Sequence, residues 1–254
     1  MIETPVIDFH AHSGKWTSQG VLGGTPDHFV QVMDTAGVDQ LAVNCIFYGD
    51  ARRGNDVTAG YVRAYPDRFI GVGFVTPRYP SEAIPELERC FGELGFRFLK
   101  VYPVYYEKPL DDPDFDPIYE WCDERGIIIM SHSQYEHKTR PYRFARLAER
   151  YRNITWVLAH SGNTMEGQIE AVEAAQSAPN IYLETCTSQS EHGTIEFLVE
   201  GAGEDRVLYG SDLPILDARY QVGRITTADI SDEAKRKILG LNAIKLLGLD
   251  MAVP

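Results

Sequence analysis

Apolar and polar positions run along this chain in blocks. Eight short runs are rich in β-branched and aromatic residues: VIDFHAH from Val6, QLAVNCIFY from Gln40, FIGVGFVTP from Phe69, FRFLKVYP from Phe96, IIIMSHS from Ile127, ITWVLAHSG from Ile154, IYLETCTS from Ile181 and RVLYGSDLP from Arg206. Such near-continuous apolarity is what strands covered on both faces require. The stretches between them carry helical spacing. Thr25 suits an N-cap and Pro26 the first helical position; Phe29, Val32, Met33 and Ala36 then share a face, and Gly37 ends the helix. Residues 80–95 repeat the pattern with Ile84, Leu87, Phe91 and Leu94, and residues 115–125, 141–151, 163–177 and 192–203 read as further helices. In the tail, Ser231-Asp232-Glu233 predicts a helix start, Gly240 its end, and Asn242 the cap of a last short helix through Leu247.

Repeated strand–helix units favour a closed parallel (β/α)8 TIM barrel over an open sheet. No phosphate-binding glycine fingerprint follows the first run, which argues against a dinucleotide fold. Neither a linker nor a low-complexity segment divides the chain, so residues 1–254 are expected to form one domain. The glycine-rich stretch from Ser13 to Gly24 and the proline-rich residues 103–114 should be loops at the C-terminal face of the barrel, where barrel enzymes carry their sites.

Composition narrows the function. With 254 residues, 44% hydrophobic, the chain can fill one core. A net charge of −13 makes nucleic acid a poor partner, while a small anionic substrate stays compatible because a site can be locally positive. The four cysteines, Cys45, Cys90, Cys122 and Cys186, are widely and irregularly spaced, as reduced thiols of a cytosolic protein are. No basic, apolar leader opens the sequence, and no apolar run approaches a membrane span of roughly 20 residues. The expected location is the cytoplasm, with no membrane partner.

The chemistry gathers at the strand ends. Of seven histidines, His10 and His12 end the first run, His132 the fifth and His160 the sixth, while Asp212 ends the eighth. Residues two apart on a strand point to the same side, so His10 and His12 can both face the barrel axis and grip one ion. Imidazole and carboxylate donors suit zinc, and a catalytic zinc lowers the pKa of its bound water to about 7. A lone strand-end histidine is more often structural; the five groups together are far more specific. His28 and His192 lie on or beside predicted helices and take the structural reading. His137, in the loop after His132, is a pocket candidate.

At this point the chain resembles the amidohydrolase superfamily, and within it the amidohydrolase-2, aminocarboxymuconate-semialdehyde decarboxylase-like group. The matching pieces are VIDFHAH, the His of MSHS, the His of LAHSG, YGSDLP and the tail ILGLNAIKLLGL, in the family's order over nearly the whole chain. The resemblance implies a distorted (β/α)8 barrel and one divalent metal ion, zinc first and manganese second. It implies His10, His12, His132 and Asp212 as ligands and His160 as acid/base or substrate-polarising group. It also implies a small-molecule substrate and, often, a homodimer.

The fourth run separates branches of the superfamily. Binuclear members carry a carboxylated lysine or a glutamate there, and TatD-type nucleases a glutamate; this chain has Lys100 and no acid. Lys100 has three readings: it binds a substrate carboxylate, it is carboxylated and bridges two metals, or it forms a buried ion pair, for which Asp8, on the same strand parity as His10 and His12, is a candidate partner or else a group that orients a ligand histidine. Softer pocket candidates are Tyr102, Tyr105, Gln134, Tyr135 and Arg140, then Trp16, Asn163, Cys186 and Ser188; Lys100, Tyr102, Gln134 and Arg140 form the substrate-binding set. Arg140 and Lys138 suit a carboxylate, which a guanidinium holds bidentately.

Two reactions fit this site. The first expectation is a metal-dependent hydrolase, in which metal-activated water attacks an amide, lactone or ester, Asp212 shuttles the proton and His160 stabilises the oxyanion. The alternative is a non-oxidative decarboxylase acting on an unsaturated or aromatic carboxylate, with His160 or Asp212 protonating the carbon that loses carbon dioxide. A pocket with no cation beyond Lys100 would count against the alternative.

Overall fold

Eight parallel strands pair in sequence order: β1 (Ile7–His12), β2 (Gln40–Asn44), β3 (Phe69–Phe74), β4 (Phe98–Val101), β5 (Ile128–His132), β6 (Thr155–Ala159), β7 (Ile181–Glu184) and β8 (Val207–Leu208). The computed structural model describes residues 3–14, 24–189 and 191–251. β8 is only two residues long, and the segment after it completes the ring. Phe9 N donates to Tyr209 O (2.9 Å), Asp212 N to His10 O (2.7 Å) and His12 N to Leu213 O (2.7 Å). The expected (β/α)8 barrel is therefore the fold, distorted at the β8–β1 seam.

The helices are α1 (Pro26–Ala36), α2 (Ala51–Ala64), α3 (Pro80–Glu88), α4 (Pro103–Tyr106), α5 (Asp116–Asp123), α6 (Pro141–Arg150), α7 (Met165–Ser177), α8 (Thr194–Ala202), α9 (Ala218–Thr226), α10 (Asp232–Arg236) and α11 (Asn242–Leu247). α1 is built as its sequence predicts: Thr25 caps the His28 amide, and Gly37 closes the helix at φ 73°, a left-handed value that glycine adopts without steric cost. α2 is absent from the sequence-based expectation because its inner face mixes polar Asn55 and Thr58 with Gly54, Ala59 and Tyr61. Its buried Asn55 donates to Phe74 O (2.9 Å) and Glu86 Oε1 (2.8 Å) and accepts from Phe74 N (2.9 Å), so side-chain amide bonds dock the helix on β3. Gly240 and Asn242 also correct the reading. The helix runs on from α10 through a wide turn at Lys237–Leu241 into α11, and Asn242 donates instead to Glu204 O and Val207 O.

Two apolar layers hold the barrel. One lies between strands and helices and includes Phe29, Leu99, Tyr119, Phe144 and Trp156. The other fills the barrel interior: Ile7, Phe9, Phe98, Met130 and Val157 pack above Ala243 and Leu247 of α11, which plugs the bottom. Phe9 and Phe98 stack with centroids 4.4 Å apart. Among the described residues the barrel interior below is thus filled, and the inward-facing cavity lies at the C-terminal ends of the strands.

β1 carries the feature that sets the site. Its pairing with β2 shifts register between Asp8 and Ala11, a bulge that breaks the two-residue alternation. Phe9 faces the inner cluster and Ala11 the outer one, with His10 turned inward beside Phe9. Asp8 therefore does not share the inner face with His10, and it is not the partner of Lys100. Its Oδ1 accepts from His10 N (3.1 Å) and Ser211 N (2.9 Å), stapling β1 to the segment that carries Asp212.

Burial pushes the Asp8 carboxyl up to about 8. A carboxyl raised in the fold binds more protons folded than unfolded, so stability falls as pH rises from the unfolded value near 4 to the folded value near 8. Asp8→Asn keeps an acceptor for both amides and removes this penalty. Thermal melts at stepped pH should show the variant gaining on the parent between pH 4 and 8 and then holding a constant offset; an offset independent of pH contradicts this account.

Candidate active site

The cavity at the barrel mouth has a volume of about 570 Å³ and is lined by His10, His12, Lys100, Tyr102, His132, Gln134, Glu136, His160, Asn163, Ser188 and Asp212, with Ile46, Val104, Ile215 and Leu216 supplying apolar wall. Asp212 Oδ1 lies 3.0 Å from His12 Nε2 and 3.6 Å from His10 Nε2. These three donors form one cluster that can hold an ion.

The tautomers follow from the surroundings. Asn44 Nδ2 donates to Ala11 O, so its Oδ1 is the acceptor for His12 Nδ1 (3.2 Å). His10 Nδ1 donates to Glu184 Oε2 (3.0 Å), while His10 Nε2 accepts from Lys100 Nζ (2.9 Å). Asp212 Oδ1 lies between the Nε2 atoms of His10 and His12, buried and without a hydrogen-bond partner among the described residues, a place that a cation would satisfy. Burial holds the His10 imidazole well below its ordinary range, and the Lys100 charge adds to the effect, so His10 stays neutral, as a metal ligand must. Burial pushes the Asp212 carboxyl up, but His10, His12 and His160 outweigh it and hold the group ionised. The donor set fits a divalent ion by chemistry, count and protonation state.

His132 shares the cavity wall but stays outside that trio. Its Nε2 meets Gln134 Oε1 at 3.0 Å, and its ring sits edge-on to His160 at 4.6 Å. His160 Nδ1 donates to Cys186 O (3.2 Å), which leaves Nε2 as its open nitrogen. Burial, with His132 adding to it, lowers the His160 imidazole well below its ordinary range. His160 and Asp212 both adopt positive φ, 68° and 60°. Left-handed backbone at non-glycine residues costs of order 1–3 kcal/mol each, and it concentrates at functional sites.

The remaining expectations divide. Lys100 and Tyr102 line the cavity, as do Gln134, Asn163 and Ser188. Lys100 is fully buried, which brings its ammonium down to about 8, with Asp212 opposing the shift. Arg140 corrects the substrate-binding set. Its guanidinium pairs with Glu170 (2.6 Å) and stacks over Tyr135 at 4.3 Å, so it faces away from the cavity. Lys138 pairs with Glu107, and His137 holds Arg143 through its carbonyl (2.8 Å). Cys186 packs behind His10 and His160, its Sγ 3.3 and 3.2 Å from their Nδ1 atoms. Trp16 lies outside the described residues.

Glu184 is the group that sequence reasoning missed. One carboxylate receives His10 Nδ1, the His160 amide (3.1 Å) and the Cys186 thiol (3.0 Å) and amide (2.5 Å). It fixes the His10 ring and the backbone of His160 together. Its signal was faint: one acid closing the apolar run IYLE. Partners of this kind typically carry 10–100-fold in metal affinity or activity. Glu184→Gln should lower metal affinity by about that factor, read by titration with a chelating dye; unchanged affinity contradicts the assignment.

A family model described as amidohydrolase matches residues 7–249. The chain belongs to the amidohydrolase family. Among curated relatives, 2-amino-3-carboxymuconate-6-semialdehyde decarboxylase of Dictyostelium discoideum is 27% identical over 235 residues, 77% of this chain and 66% of that protein. Gamma-resorcylate decarboxylase of Rhodococcus jostii (strain RHA1) is 23% identical over 253 residues, 79% of this chain and 77% of that protein. The chain thus spans about two thirds to three quarters of the length of these relatives. A hydratase stands beside them. Among solved structures, a dihydroxybenzoic acid decarboxylase of Polaromonas sp. JS666 with bound manganese has a TM-score of 0.76 at 18% identity, each chain covered to 98%.

Membership makes this chain an enzyme of that family, and divalent metal is what such relatives hold. The hydrolase expectation is corrected here. The named relatives are mostly decarboxylases, and they favour the carboxy-lyase alternative. Among the described residues, no helix is long and apolar enough to cross a membrane.

Proposed function

We propose that this protein is a metal-dependent, non-oxidative decarboxylase that converts an unsaturated or aromatic carboxylate to its decarboxylated product and carbon dioxide. The observation that carries the reading is the convergence of His10, His12 and Asp212 beside the buried ammonium of Lys100, across one cavity from the open nitrogen of His160. Lys100 is the only lysine or arginine on that cavity among the described residues. The scarcity that would have counted against a lyase loses weight because the donor set itself calls for a second cation.

His10, His12 and Asp212 would hold the divalent ion, and His132 on the same wall would offer a further nitrogen if its Nε2 were released from Gln134. When bound, the ion acts as a Lewis acid on a substrate oxygen. Lys100 attracts the substrate carboxylate, and the apolar wall of Ile46, Ile215 and Leu216 limits water. His160 Nε2 takes the proton of a substrate hydroxyl. The oxyanion so formed pushes electrons onto the carbon that bears the carboxylate, and His160 returns the proton there. The C–COO⁻ bond then breaks, its electron pair re-forms the unsaturated system, and carbon dioxide leaves. Glu184 and Cys186 O keep the rings oriented throughout.

The test is a panel of hydroxylated aromatic and conjugated carboxylates beside their esters and lactones. Carbon dioxide matching substrate loss, with the esters untouched, is the expected result; ester or lactone hydrolysis with every carboxylate intact overturns the proposal.

A further inference from the structure

A second cavity of about 390 Å³ adjoins the catalytic one at the ends of β2, β3 and β4. The two share Ile46 and Tyr102, so Tyr102 is a wall of both. This side cleft is aromatic in a way its neighbour is not. Tyr48, Phe74, Tyr79 and Tyr105 line it beside Tyr102, with Arg78 the one charged residue among its described lining. Tyr105 stands edge-on to Tyr102 with centroids 4.5 Å apart. Tyr79 and Tyr105 are 46% and 43% exposed, two of only six exposed large hydrophobic residues among those described. Aromatic surface gathered at the rim of an enzyme site is a binding feature rather than a folding one, since folding would bury it. Arg78 Nη2 donates to Tyr105 O (2.8 Å), which fixes the guanidinium at the cleft. This exposed side chain makes no other side-chain hydrogen bond within the described residues, and the described lining of the cleft carries no acid.

Resting on the decarboxylase reading, we infer that the side cleft is a specificity subsite for the distal part of the substrate, a second aromatic ring ending in an anionic or hydrogen-bond-accepting group held by Arg78. Adjacency to the catalytic cavity across the shared Tyr102 and Ile46 decides the occupant. A ring carboxylate seated near Lys100 points any substituent past Tyr102 into the cleft, where ring faces and edges accept a flat group and the guanidinium accepts its terminal oxygens. The side cleft of about 390 Å³ stands beside a catalytic cavity of about 570 Å³, so space for a second ring lies next to the first. The substrate class is therefore an extended, two-ring carboxylate rather than a single hydroxybenzoate.

Calorimetry with unreactive ligands tests this without turnover. The ligands are a monocyclic phenol, a biaryl phenol, and the same biaryl with a carboxylate on its distal ring, each titrated into the metal-loaded protein. The biaryl should bind about tenfold tighter than the phenol, and the distal carboxylate should add about another tenfold. Tyr79→Ala should remove the first increment and Arg78→Ala the second. Both variants should keep the monocyclic affinity, which also reports that they are folded. Absence of either increment, or increments indifferent to these substitutions, overturns the subsite. If the increments appear and no carboxylate is decarboxylated, the functional reading fails and the subsite stands; if monocyclic carboxylates are decarboxylated and the increments are absent, the subsite alone fails.

Discussion

His160→Ala should lower kcat for decarboxylation by about 10²–10⁴-fold, the usual worth of one positioned acid/base, while the protein keeps one bound ion per chain. The two readouts must separate. His160 donates its Nδ1 hydrogen to Cys186 O and lies outside the His10–His12–Asp212 trio, so losing its ring removes proton transfer and leaves the ion's donors in place. Steady-state kinetics and metal analysis on one preparation check this. Loss of the ion with the activity would make His160 a ligand. Unchanged kcat would pass the proton-transfer role to another group, for which Asp212 is the nearest choice.

Asp212→Asn should act the other way, through the ion. Asp212 is the only carboxylate in the trio, held ionised by three histidines despite burial. An amide of the same shape removes the negative charge that balances the ion. Outer partners alone carry 10–100-fold in affinity, so a direct donor should cost at least about 100-fold. Activity should fall in parallel and recover in part at high metal concentration. Retention of parental affinity would show that the ion does not sit on Asp212.

Much of this was legible in the sequence. Barrel strands lie buried between an inner and an outer layer, so each wrote an apolar run, and the polar residues at the run ends marked the rim where a site can form. His10, His12, Lys100, His132, His160 and Asp212 could be placed on one cavity for that reason. What failed were inferences about direction. Asp8 was assigned the inner face by alternation, and a bulge cancelled the rule. Arg140 sits in a loop, where position along the chain says nothing of where a side chain turns, and Glu170 holds it outward. α2 stayed hidden because its buried side is mixed: Asn55 docks it by amide hydrogen bonds beside the core contacts of Ala59 and Tyr61, so no clean apolar stripe marked it. Glu184 is one acid in a hydrophobic run, and its role depends on His10 and His160, far off in sequence. The reaction type was beyond the ligand set altogether, since hydrolysis and decarboxylation call on the same donors.

The central claim is decarboxylation that depends on the ion at His10, His12 and Asp212. The most direct measurement follows carbon dioxide release from a reactive carboxylate by protein stripped of metal and then titrated with manganese or zinc. The account predicts no release from the stripped protein and a rate rising in proportion to occupancy up to one ion per chain. Full carbon dioxide release without metal, or none at full occupancy across the panel, would contradict it.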